Sequence, residues 1–218
     1  MSYKRGPYRS PAQQERQQRI LSVTKSQLKS NGVSKLTMRG VAEASAVSLK
    51  TLYNVFGNRD VLLLRVATER YQQLASRSSV REARPGIHQL LAYAEEAIAQ
   101  FTADPEFSAI VIGILLQLDK EVSPVDDLIA LFRERTADAL NDAVKNAELR
   151  ADIDVEALAT LLCAHQWGLV LLWERELMTL DQLGVQLRLS HCLTLSSLSR
   201  GQTKKWLQEE SRELIEIS

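Results

Sequence analysis

Lys50, Thr51, Tyr53 and Asn54 lie within five residues of one another and offer a cation, an amide and two hydroxyls. Such groups read guanine and adenine edges, or hold phosphates, in the major groove of duplex DNA. If their run is helical, turning about 100° per residue from Leu52 puts Lys50 and Asn54 almost opposite the side that Leu52, Val55 and Phe56 would bury. Thr51 and Tyr53 then stand on the two flanks. Arg59 adds a cation in the first turn of the next helix, the end of the dipole where a cation is disfavoured, so an outside anion such as a phosphate suits it.

Other chemistry-bearing residues do not converge. Cys163 and His165, two apart on a helix, point about 200° apart and cannot share a metal, and His191 and Cys192 diverge by about 100°. His88 stands alone. The carboxylates of Glu95 and Glu96 diverge as well, and the chain has no glycine-rich phosphate loop, no Gly-x-Ser-x-Gly and no His-Glu-x-x-His. No enzyme, metal centre or cofactor is expected. Two cysteines make no disulfide framework and suit a reducing cytoplasm, and no apolar stretch near the N-terminus resembles a signal peptide. The longest apolar run, Ala157 to Trp173, is broken by Thr160, His165 and Gln166 and falls short of the ~20 residues a membrane span needs. No membrane partner is expected.

With 218 residues, 45% of them hydrophobic, the chain has enough material for one or two domains. Its net charge of zero hides a division: residues 1 to 65 carry twelve Lys/Arg against three Asp/Glu, whereas residues 66 to 218 carry fifteen against twenty-four. A basic front third fits a nucleic-acid face, and the acidic remainder a different task.

The elements that must position the polar ridge read clearly. Thr37 can cap a helix whose Met38, Val41 and Ala42 form one buried stripe, and Ser48 can cap the helix that holds the ridge. Only Ser45-Ala46-Val47 lies between, so the two helices cross steeply, as in a helix-turn-helix. Gly57 can end the second helix in a left-handed conformation, and Asn58 can cap the next. A preceding helix from about Ala12 to Ser30, apolar at Ile20, Leu21, Val23, Thr24 and Leu28 and stopped by Asn31-Gly32, completes a three-helix bundle. Met1 to Pro11, with Lys4, Arg5 and Arg9, is either a basic arm for the minor groove or a tail.

The runs Thr37-Met-Arg-Gly-Val-Ala-Glu-Ala-Ser-Ala-Val-Ser, Thr51-Leu-Tyr-Asn-Val-Phe and Asn58-Arg-Asp-Val-Leu resemble the DNA-binding domain of TetR-type bacterial transcriptional regulators, from about Arg19 to Leu64. By matching position, the resemblance implies that Leu49, Lys50, Thr51, Tyr53 and Asn54 face an operator. It likewise implies that Thr37, Tyr53 and Arg59 hold the backbone; Arg39 is counted in the same DNA-binding set. Two residues depart from the family pattern. Ala46 stands where glycine is usual in the turn, and a left-handed alanine there costs about 1 kcal/mol or somewhat more, so a slightly reshaped turn is expected. Lys50 stands where glycine is frequent, which implies an operator of its own.

The expected architecture is all-α: a homeodomain-like helix-turn-helix domain over residues 1 to 65, then a larger helical domain for ligand binding and dimerisation over residues 66 to 218. A helix from Asp60 to about Ser78 is apolar on two sides and joins the two. A loop follows over Ser78 to Gly86. Further helices are expected from Ile87 to Phe101, from Pro105, from Pro124 to about Leu149, from Val155 to Met178, from about Asp181 to Leu198, and from Thr203 to Ile217. Those over 155–178 and 181–198 have more apolar faces than one core covers, which points to a homodimer through them. The resemblance implies the same interface, and two recognition helices must reach half-sites about 34 to 36 Å apart or a multiple of it.

Phe107, Ile110, Ile114, Gln117 and Trp167 are the candidates to line a pocket for a small hydrophobic effector, although such residues ordinarily just fill a core. The pocket itself is implied by the resemblance. The expected function is thus a ligand-responsive regulator, a repressor, binding a pseudo-palindromic operator as a dimer. The alternatives are a constitutive DNA-binding protein with a packed second domain and an all-helical enzyme.

Overall fold

A computed structural model describes residues 10 to 117 and 123 to 217, which form eleven α-helices and no strand. The expected arm over Met1 to Pro11 lies almost wholly outside the described residues. The chain divides into two units, Met1–Ala67 and Thr68–Ser218.

The first unit holds α1 (Pro11–Asn31), α2 (Met38–Ala44), α3 (Leu49–Phe56) and the start of α4 (Arg59–Gln72). Each helix begins on a side chain that satisfies an orphan backbone N–H. Ser10 and Gln13 form a reciprocal capping box on α1. Thr37 Oγ1 accepts from Gly40 N at 3.1 Å, Ser48 Oγ from Thr51 N at 3.0 Å and Asn58 Oδ1 from Val61 N at 2.9 Å. Ile20, Leu21, Leu28, Val41, Ala42, Leu52 and Phe56 are buried in this unit.

The turn between α2 and α3 keeps its left-handed residue despite the missing glycine. Ala46 has φ 52°, with Ala46 N bonded to Glu43 O (3.2 Å) and Val47 N to Ala42 O (3.0 Å), a Schellman closure and not a reshaped turn. Gly57 also has positive φ, but with φ 78° and ψ −62° and a bond from Asn58 N to Phe56 O (2.9 Å) it makes a γ-turn, not the expected left-handed helical cap. That conformation is essentially closed to residues with a Cβ.

Leu62, Leu63 and Leu64, consecutive and so about 100° apart, are all fully buried, so α4 is covered over more than half of its circumference there, with Val61 and Arg65 half-buried on the remaining side. The helix ends at Gln72, earlier than expected, and continues as a 3₁₀ turn, Gln73–Ser76. The segment expected as a loop contains a short helix, α5 (Ser78–Glu82).

In the second unit, α6 (Ile87–Ala103), α7 (Pro105–Gln117), α8 (Ser123–Lys145), α9 (Val155–Glu174), α10 (Leu180–Leu198) and α11 (Gly201–Ile217) follow. α10 packs on α6, α9 and α11, and α8 on α6 and α9. Ile87, Leu140, Leu162, Cys192, Leu195 and Leu207 belong to the shared core. Arg188 ties three helices, pairing from α10 with Glu210 of α11 at 2.7 Å and with Glu95 of α6. The buried carboxylate of Glu148 caps α6 through Ile87 N (3.0 Å) and pairs with Arg84 (2.8 Å). A Cβ on Gly86 would stand 2.2 Å from that carboxylate, so only glycine fits.

α8 and α9 stop short of their expected ends. Both close as α2 does, with non-glycine residues in the left-handed region: Ala147 at φ 58° and Glu176 at φ 57°. In each, the following N–H reaches back into the helix, Glu148 N to Ala143 O (2.8 Å) and Leu177 N to Leu172 O (2.9 Å). Against the expectation from run length, α9 is 20 residues long and apolar enough to cross a membrane by length and composition, yet one side of it, with Leu158, Ala159 and Leu162, lies in the core.

Ala46→Gly removes a left-handed alanine at the cost of a more flexible unfolded chain, so it stabilises the protein by up to about 1 kcal/mol. Urea denaturation measures it; a loss of stability would mean that the Ala46 methyl packs favourably.

Candidate nucleic-acid interface and inner cavity

The ridge on α3 is exposed where the sequence places it. Leu52 is fully buried and Phe56 nearly so, while Lys50 and Asn54 are exposed and Leu49 and Tyr53 are 40% and 46% accessible. Thr51 is half-buried, its hydroxyl 2.8 Å from that of Ser48 at the helix start. Thr37 is exposed beside Gly40, its oxygen engaged in capping α2 while its O–H remains able to donate. Arg39 is exposed and pairs with Glu43 one turn along at 3.1 Å, a contact worth a few tenths of a kcal/mol that a phosphate can displace.

α1 holds α2 from behind. Arg19 Nε donates to Ser45 O (3.1 Å) at the end of α2, and Gln27 Nε2 donates to Gly40 O (3.1 Å). These bonds fix the turn from which α3 projects.

Arg59 has an occupation the sequence did not suggest. Its Nη2 donates to Val33 O at 2.6 Å and its Nε to Leu36 O at 3.1 Å, so its half-buried guanidinium binds the linker between α1 and α2. Partial negative charge on two carbonyls offsets the unfavourable helix end, and no outside anion is required for it.

The second unit contains a small cavity of about 10 Å³, room for about one water, bounded on its polar side by Tyr71, Tyr93, Arg135, Thr136, Gln166 and His191. Arg135 reaches from α8 to the last turn of α4, its Nη1 donating to Tyr71 O (2.7 Å) and its Nη2 to Gln72 O (2.9 Å). Its guanidinium lies over the rings of Tyr71 and Tyr93, at 4.7 and 5.4 Å. Tyr71 stacks on Phe132 with centroids 3.7 Å apart. Burial holds the Tyr71 phenol above its ordinary value, against the opposing charge of Arg135. Burial pulls His191 down to about 4, with His165 adding to the shift, so its imidazole is neutral at physiological pH. Its ring nitrogens make no well-formed hydrogen bond.

None of Phe107, Ile110, Ile114 or Trp167 lines this cavity, and the side chain of Gln117 lies outside the described residues. Phe107 is buried under the guanidinium of Arg70 (4.1 Å), which pairs with Asp104 at 3.0 Å. Ile110 and Ile114 are half-buried on α7, and Trp167 packs edge-on to Phe132. Arg135 was legible in principle, because it falls on the stripe Leu128, Phe132, Arg135, Ala139, a cation among residues that α8 turns inward. Burial pushes the thiols of Cys163 and Cys192 up, the latter to about 11, so neither is a thiolate. Among the described residues no three His, Cys, Asp or Glu side chains converge as a metal site.

An all-α chain that presents a capped, rigidly held helix with an exposed cation, amide and phenol is a helix-turn-helix protein by class. Residues 20–66 match the sequence profile of bacterial regulatory proteins of the tetR family. Residues 20–66 thus form a helix-turn-helix domain of the tetR type.

Solved structures agree in fold. FadR of Thermus thermophilus, a TetR family transcriptional repressor in complex with lauroyl-CoA, superposes with TM-score 0.67 at 17% identity over 82% of this chain and 92% of its own. The fatty acid degradation regulator FadR of Bacillus halodurans gives 0.62 at 17% over 83% and 98%. A gamma-butyrolactone receptor gives 0.56 at 15% over 94% and 98%. No curated protein matches the sequence significantly.

Arg59→Met leaves two linker carbonyls without their charged donor, so stability falls by about 2 kcal/mol. The slope of DNA affinity against salt stays as it was, since no phosphate contact is lost. A slope lower by about one would show that Arg59 also holds the DNA backbone.

Proposed function

We propose that the protein is a homodimeric, ligand-responsive regulator, acting as a repressor, that binds a pseudo-palindromic operator and is released by a small hydrophobic effector. The observation that carries this reading is the exposed ridge of Lys50, Tyr53 and Asn54 on a helix whose opposite side buries Leu52 and Phe56 and half-buries Val55. Lys50 and Asn54 are suited to base edges and Tyr53 to a phosphate, with Leu49, Thr51, Thr37 and Arg39 around them. The basic charge of residues 1 to 65 favours the encounter with DNA.

α9 presents an apolar stripe of small and branched residues, Ala157, Leu161, Ala164, Gly168 and Leu172, all exposed in the single chain, and Leu193 of α10 is exposed as well. Spaced three or four apart they share one face, which suits close packing against a second copy. That relatives of the same fold bind lauroyl-CoA or a gamma-butyrolactone supports an effector site in the second unit. The proposed response runs along α4, whose ends lie in the two units. An effector that prefers one setting of that helix shifts the population by its difference in affinity between settings, and no further.

Lys50→Ala should relax preference at one base pair by roughly 1 to 3 kcal/mol in binding to operator variants selected from genomic fragments; equal losses on all sequences would refute base reading. For the dimer, Gly168→Arg is informative because a Cβ at Gly168 meets nothing within 4 Å inside the chain. The variant should fold and elute as a monomer in size-exclusion chromatography with light scattering. A dimer of unchanged affinity would exclude this face of α9 from the interface.

A further inference from the structure

The small cavity bordered by Tyr71 and His191, unlike the larger apolar cleft of about 290 Å³ between α6 and α10, is more polar than a site for a plain hydrocarbon. Arg135 borders it, and none of the residues lining it is Asp or Glu. Among the described residues no carboxylate pairs with Arg135; its neighbours are the carbonyls of Tyr71 and Gln72 and two aromatic rings. A guanidinium has five donors in a planar fork that matches a carboxylate, and two carbonyls leave that match unused. Two further polar side chains, Gln166 and His191, border the same space while only 9% and 3% exposed, and both nitrogens of His191 lack a well-formed partner. A neutral imidazole offers one donor and one acceptor without adding a second cation.

We propose that the effector is an organic acid whose carboxylate engages Arg135, with a flat or short apolar body against Phe132 and Leu90 and a second polar group within reach of His191 and Gln166. This rests on the effector-responsive reading above and names the ligand class for it. The cavity of about 10 Å³ holds no more than a water-sized group while Arg135 lies on the end of α4, so the acid enters as that side chain moves. An acid that draws the fork toward itself takes donors from Tyr71 O and Gln72 O, which loosens the last turn of α4. Ligand binding and the hold on α4 thus compete for one guanidinium, and the acid favours the setting in which α4 is released.

The test uses the full-length protein with benzoate, phenylacetate and octanoate, each beside its amide and its alcohol, read by calorimetry and by release of bound operator DNA. The acids should bind at least ~10-fold more tightly than their amides, because a charge-assisted pair replaces a neutral one. In Arg135→Gln the acid-to-amide ratio should fall to about one, and in Arg135→Lys to an intermediate value. A ratio taken within one variant does not move with general stability. Should the glutamine variant fail to fold, the wild-type ratio and the lysine variant decide. Amides that match their acids, or a ratio unchanged in Arg135→Gln, would overturn the carboxylate assignment while leaving an effector site in place. If no acid, amide or alcohol binds or releases DNA, this proposal and the effector-responsive reading fail together.

Discussion

Backbone carbonyls at a linker and at a helix end, held by arginine side chains, are the constraint on which this molecule turns. Arg59, at the first residue of α4, donates to Val33 O and Leu36 O in the linker before α2. Arg135 of α8 donates to Tyr71 O and Gln72 O, the last carbonyls of α4 itself. A hydrogen bond from a charged donor to a part-buried carbonyl contributes about 1.5 to 3 kcal/mol and is directional, so these contacts specify positions as well as stability. Arg135 also sits at the negative end of the α4 dipole, which favours a cation there. One helix is therefore tied near its start within the DNA-binding unit and at its end within the other, with a run of fully buried leucines between.

The beginnings of helices were far more legible in the sequence than their ends. Thr37, Ser48 and Asn58 announce themselves because an N-cap is made by a side chain, and the three bonds observed are the ones those residue types make. Ends were missed where the chain turns without glycine. Ala147 and Glu176 take left-handed φ at the close of α8 and α9, and neither residue type signals that conformation, so both helices read too long. Ala46 does the same after α2, where the stop could be read only because Ser48 restarts a helix two residues on. Gly57 was recognisable as a break, but its γ-turn depends on how α4 leaves, which no local pattern encodes.

The exposed face of α3 follows from periodicity alone, since Leu52 and Phe56 fix which way the helix faces and the rest is rotation. Arg59 was harder because its partners lie 23 and 26 residues earlier in the chain. A dipole argument correctly found the cation out of place, but the compensating charge came from the protein's own backbone. The cavity residues lay on α4, α6, α8, α9 and α10, and only their convergence gives them meaning. Arg135 within an inward stripe was the single local sign, and the apolar side chains weighed for the site instead fill the core or half-bury on α7 and α9.

Polar groups at the centre of the second unit are expensive relative to the leucine they could be. A 3% exposed imidazole whose contact with the Leu162 backbone is not a well-formed hydrogen bond forfeits bonding it would have in water, at a cost on the order of 1 to 3 kcal/mol for a nitrogen left unpaired. A core that only needed filling would be better served by apolar side chains of the same volume. The deficit differs in kind from ordinary instability, because a molecule that supplies the missing partners recovers it on binding. Unsatisfied polarity in one conformation is thus affinity available to whichever conformation a ligand can complete. On the proposed function, a helix clamped by a guanidinium beside that deficit is the element through which such an affinity difference becomes a change of shape.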